Sequence, residues 1–162
     1  MLPFLFWTAI AGLAVLLAYT VYSDLTSRRI PNWLTLSVAL LAIPYWLGRG
    51  AADADLLRHA VFAGAAILLL LLIWQAGYWL RRRLMGGGDL KLLAALTLWL
   101  PLAPYMEMLF WMALAGAVVT LVALAENRLR KRPLPTRVPY GLAIVAGVFA
   151  VHGELIVKQF GA

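Results

Sequence analysis

The chain has 162 residues, of which 64% are hydrophobic and 13% charged, with a net charge of +7. A soluble fold of this size cannot cover that much apolar surface, so the solvent is a bilayer and a freely soluble enzyme is excluded. The basic residues sit in short loops between apolar segments, which reads as membrane topology and lipid contact, not a nucleic-acid groove, and the absence of cysteine excludes disulfides and thiolate metal sites.

The length suits one domain over residues 1–162. The sequence predicts an all-α membrane protein, a polytopic bundle of six transmembrane helices at about 3–22, 33–48, 57–80, 90–104, 105–125 and 138–157. The first segment opens on Met1-Leu2-Pro3-Phe4 without a basic n-region, so it reads as a retained span. Asp24 follows its end, beside Arg28 and Arg29, and Ile30-Pro31-Asn32 leads into the short second segment. The third carries Trp74 and Gln75, read as packing and hydrogen bonding between helices. Arg81, Arg82 and Arg83 come next, then Gly86-Gly87-Gly88-Asp89-Leu90-Lys91 at the approach to the fourth, which Pro101 and Pro104 stop. Trp111 reads as packed within the fifth, and Glu126 as an ion-pair partner of Arg130 at i+4. The last segment opens on Val138-Pro139-Tyr140-Gly141. Trp7, Trp33, Tyr45, Trp46, Tyr78, Trp79, Trp99, Tyr105 and Tyr140 fall near predicted ends, as interfacial belts do.

Eleven of the Lys and Arg residues fall in the first, third and fifth loops, and only Arg49, Arg58 and Lys158 fall on the other face. The basic face should therefore be cytoplasmic, with both termini outside. Asp24 and Asp89 then share the cytoplasmic side. His59 and His152 lie on the far side without partners at ligand spacing, so no metal or cofactor is assigned to them.

Two carboxylates beside a membrane, one protonated and one ionised, can hydrolyse a peptide bond: one acts as base on water, the other as acid toward the carbonyl oxygen. Helix polarity suggests an ionised Asp89 capping the fourth helix and a protonated Asp24 beyond the end of the first. Gly86, Gly87 and Gly88 admit backbone conformations closed to other residues and leave room for an extended substrate, which suggests a dyad assembled when substrate binds. Taken singly, Asp24 also reads as a surface partner of Arg28, and the glycine run as a loop with an N-cap.

At these residues the chain resembles the type IV prepilin peptidases, GxGD intramembrane aspartyl proteases. Gly86-Gly87-Gly88-Asp89 with Lys91 matches the second motif, and Asp24 with Ile30-Pro31-Asn32 and Leu34-Thr35-Leu36 the first. Val138-Pro139-Tyr140-Gly141 is a weaker third match. The resemblance implies that Asp24 and Asp89 are the catalytic pair and that Gly86, Gly87, Gly88 and Lys91 form the active-site loop. For Lys91 and the neighbouring arginines, lipid anchoring competes with substrate contact. The implied substrates are prepilin or pseudopilin precursors, cleaved after a short basic leader ending in glycine at the cytoplasmic edge of the inner membrane. Larger members carry a cysteine-bearing zinc insertion in the first loop and also methylate the product. The short first loop and the lack of cysteine resemble the compact form of tight-adherence (Flp) pilus systems, without methyltransferase activity. Two other readings compete. One is a protease resembling signal peptide peptidase, whose Tyr-Asp pair Tyr22-Ser23-Asp24 does not supply. The other is a non-enzymatic assembly subunit or small carrier with functional carboxylates.

Overall fold

A computed structural model describes residues 2–50, 53–81, 85–129 and 140–160, and for residues 53 and 154–160 the backbone alone. The described residues form six helices: α1 (Pro3–Ser27), α2 (Asn32–Arg49), α3 (Asp53–Trp79), α4 (Gly87–Leu96), α5 (Leu102–Leu129) and α6 (Tyr140–Phe160). Each predicted segment thus overlaps at least one of these helices. Three helices are long and apolar enough to cross a bilayer by themselves, namely α1, α3 and α5, and the chain is a membrane protein.

The helix ends follow local chemistry. Pro3 starts α1, where its missing N–H costs nothing. Arg28 closes α1 in the left-handed region at φ 52°, donating its N–H to the Asp24 carbonyl at 3.0 Å. Residues 28–31 alone separate α1 from α2, a shorter connection than the apolar pattern suggests, because α1 continues through Ser27. Asp24 therefore lies within the last turns of α1 and not beyond its end.

α1 and α2 form an antiparallel hairpin, with the Leu2 N–H on the Gly48 carbonyl at its far end. α6 packs between α1 and α5, and α4 lies against α2, α3 and α6. The core gathers around α4: Leu92, Leu96, Trp99 and Leu100 are buried against Leu34 and Val38 of α2 and Ile144 and Val148 of α6.

The fourth segment departs most from expectation. α4 has ten residues, about 15 Å at 1.5 Å per residue, against a hydrocarbon core of roughly 30 Å, so it does not cross. It stops at Leu96 in a tight turn through Thr97–Leu100, ahead of Pro101, and Pro104 belongs to the first turn of α5. A broken helix frees carbonyls that lipid cannot satisfy. Here side chains do so: Trp46 Nε1 donates to the Leu98 carbonyl at 2.7 Å, His59 Nε2 lies 3.0 Å from the same oxygen, and Thr97 Oγ1 donates to Ala94. Trp99 Nε1 in turn donates to the Val38 carbonyl at 2.8 Å.

Several aromatic placements are corrected. Trp99, Tyr45 and Tyr105, expected in interfacial belts, are core residues: Trp99, in the turn that ends α4, donates to the Val38 carbonyl of α2 and packs on the Tyr45 ring at 5.0 Å, and Tyr105 donates its O–H to the Leu93 carbonyl of α4. Trp74, Gln75 and Trp111, expected between helices, are exposed on α3 and α5, which each pack along one side only.

Replacing Trp99 with Ala removes a fully buried ring and its hydrogen bond, and is expected to cost about 3–5 kcal/mol. Trp79→Ala, at a side chain 78% exposed, should leave the detergent melting midpoint unchanged. Equal loss of thermal stability in both variants would contradict this core.

Candidate active site

The end of the bundle where α1 stops is also where α2, α4 and α6 begin. Short contacts tie these four ends together. Ser23 Oγ donates to the Arg29 carbonyl at 2.7 Å and fixes the turn between α1 and α2. Lys91 Nζ, in the second turn of α4, donates to Asn32 Oδ1 at the start of α2, at 2.8 Å. Gly88 packs on Ile30, where an added Cβ would sit 3.0 Å from the Ile30 Cβ. The two aspartate-bearing segments are thus clamped to each other through Ile30, Asn32, Gly88 and Lys91.

Asp24 is 7% exposed. That burial removes the reading of a solvated surface partner for Arg28. Its Oδ2 instead accepts the backbone N–H of Gly141 at 2.8 Å, in the first turn of α6. The N-terminus of a helix carries unpaired N–H groups and the positive end of its dipole. The carboxylate stands where the start of α6 favours negative charge and the end of α1 disfavours it, so both helices bear on Asp24. The contact requires glycine, because a Cβ at Gly141 would fall 2.7 Å from Asp24 Oδ2.

Asp89 does not cap α4. Gly86 is the N-cap, with no side-chain cap, and Asp89 stands in the first turn with its carboxylate folded back over Gly86. An added Cβ at Gly86 would collide with Asp89 Oδ2. Burial, and then the neighbouring charge of Asp24, push the Asp89 carboxyl up to about 6. The two aspartates are therefore electrostatic neighbours.

The glycines act through space, not unusual backbone. Among the described residues the only glycine at positive φ is Gly50, remote from the run. Gly86 and Gly88 leave room for Asp89 and Ile30, whereas a Cβ at Gly87 would meet nothing. Gly141, Asn32 and Ile30 complete the arrangement. The Tyr140-Gly141 pair and the segment around Pro31 mark them in sequence, but their contacts cross between helices. Val138, Pro139, Arg82, Arg83 and Arg130, the expected partner of Glu126, lie outside the described residues.

Residues 11–121 match the type IV leader peptidase family. A protein of Pectobacterium carotovorum named prepilin leader peptidase/N-methyltransferase is 34% identical over 149 residues, covering 90% of this chain and 50% of its own length. Proteins of the same name from Burkholderia pseudomallei and Aeromonas salmonicida are 37% and 32% identical, covering 76% and 95% of this chain and 39% and 53% of their own lengths. No solved structure matches the chain significantly. The chain belongs to the type IV leader peptidase family, and it spans about half the length of the curated relatives it matches.

The raised Asp89 carboxyl has a measurable consequence. An unfolded aspartate titrates near 3.9, so the folded state binds this proton more tightly between about 4 and about 6. The stability this lends is complete below about 4 and is lost as pH rises through about 6. Melting midpoints of wild type and Asp89→Asn in detergent should therefore diverge over that window, in favour of the Asn variant as pH rises. A gap independent of pH would contradict the burial of this carboxyl.

Proposed function

We propose that this chain is an intramembrane aspartyl endopeptidase that removes the short basic leader from prepilin or pseudopilin precursors, with Asp24 and Asp89 as the catalytic dyad. The observation that carries the reading is the convergence of these two carboxylates from distant segments at one shared mouth of α1, α2, α4 and α6. Family membership and the names of the relatives supply the substrate class. The charge asymmetry of the loops supports a site facing the cytoplasm of the inner membrane, both termini lying outside.

The chemistry needs no group beyond the dyad and water. An ionised carboxylate takes a proton from water as the water oxygen bonds to the scissile carbonyl carbon. The protonated carboxyl gives its proton to the carbonyl oxygen, forming a gem-diol. The first carboxyl then protonates the amide nitrogen and the C–N bond breaks. One gem-diol hydroxyl returns its proton to the second carboxylate as the carbonyl reforms, restoring the dyad.

Methyl transfer is not assigned. Residues 28–31 leave no room between α1 and α2 for an inserted domain, and the sequence has no cysteine for a thiolate zinc site. Both features favour the compact Flp-type reading.

Co-expression with a Flp-type prepilin tests the proposal on a gel. Wild type should shorten the precursor after the leader glycine, and Asp24→Asn and Asp89→Asn at equal abundance should leave it uncut. Cleavage surviving either substitution would end the dyad mechanism. Within the glycine run, Gly86→Ala should lose about 100-fold in rate, since it displaces Asp89 by a fraction of its own size, whereas Gly87→Ala should cleave as wild type. Equal losses at both positions would contradict the spatial account of the run.

A further inference from the structure

We infer that the backbone N–H of Gly141 is a positioning group that holds Asp24 as the ionised member of the dyad, so that Asp24 serves as general base and Asp89 as general acid. This rests on the dyad reading above and assigns the roles within it.

The argument is geometric. A carboxylate accepting a backbone N–H is favoured in its charged form, and the Gly141 donor stands 2.8 Å from Asp24 Oδ2 in the first turn of α6, where the helix dipole adds to the effect. Among the described residues, the charged and titratable groups around Asp24 are few. Burial works most strongly against the charge of Asp24; the Gly141 donor and then Arg28, at the end of its own helix, oppose that cost, and Asp89 faces it from α4. Lys91, also on α4, is engaged with Asn32. From α6 the donor is Gly141. Asp89 lies against Gly86 of its own first turn, buried and beside the Asp24 charge, an environment that retains a proton.

Gly141 is fitted to this task by its missing side chain. A Cβ would lie 2.7 Å from Asp24 Oδ2 and 3.0 Å from its Cγ, so any larger residue must move the carboxylate off its donor. The neighbouring glycine contact, made to α6 from α5, is unlike it. A Cβ at Gly116 would meet the Tyr140 ring at 3.6 Å, an ordinary contact.

The test compares Gly141→Ala and Gly116→Ala with wild type, purified in detergent, on a prepilin substrate across pH. Gly141→Ala should lower kcat by about 100-fold, the scale for a catalytic group displaced by about 1 Å, with KM held. Its acid limb should move to higher pH, because the base has lost the donor that favours its charge. Gly116→Ala should keep the wild-type profile. A second readout needs no cleavage: the Gly141 amide proton resonance of the ¹⁵N-labelled chain should move with pH in wild type and stay fixed in Asp24→Asn. A uniform loss of activity in Gly141→Ala with an unmoved profile would overturn the positioning role. So would an amide resonance indifferent to pH. If wild type cleaves no prepilin, the functional reading fails, and the amide titration still decides whether Gly141 reads the charge of Asp24.

Discussion

A short helix buried in a membrane protein must have both of its ends satisfied by protein, because lipid offers no hydrogen bonds. α4 is such a helix, and the fold is arranged around that requirement. Its C-terminal break is met by Trp46, His59 and Thr97, with Trp99 returning a bond to α2. Its N-terminal end opens at the mouth of the bundle, where Gly86 and Asp89 form the first turn. The flank of α4 lies against α2, α3 and α6.

The mouth places each carboxylate at a helix N-terminus. Asp89 stands at the start of its own helix and Asp24 at the start of α6. Helix ends that favour negative charge offset part of the cost of burying two acids together. They do not abolish that cost: burial, and then repulsion from Asp24, raise the Asp89 carboxyl to about 6. Burial, mutual repulsion and asymmetric donors are the means by which a pair of identical side chains takes two roles. The clamp from Lys91 to Asn32 and the packing of Gly88 on Ile30 hold the segments that carry the pair.

Much of this was legible in the sequence, for physical reasons that also mark its limits. Helix positions follow from local hydropathy and from punctuation by Pro3, Pro31 and the glycine run, so all six helices were expected. Asp24, Asp89 and Lys91 stood out because charge is rare in this chain. Hydropathy cannot distinguish lipid from protein core, since both are apolar. Trp99 and Trp79 therefore read alike, although one is wholly buried and the other is exposed. The length of α4 was hidden for the same reason, as its apolar run continues through the turn at Thr97–Leu100. The donor to Asp24 was beyond local reasoning, because Gly141 lies 117 positions along the chain. The helix-polarity argument was incomplete there: it weighed α1, which carries Asp24, and not α6, which receives it.

The central claim is that Asp24 and Asp89 are one electrostatic unit. The most direct measurement is a ¹³C NMR titration of the aspartate carboxyl groups in detergent, for wild type and for Asp24→Asn. The account predicts an Asp89 midpoint near 6 in wild type, falling in the variant because the neighbouring charge is gone. An Asp89 midpoint unmoved by the loss of Asp24 would contradict it.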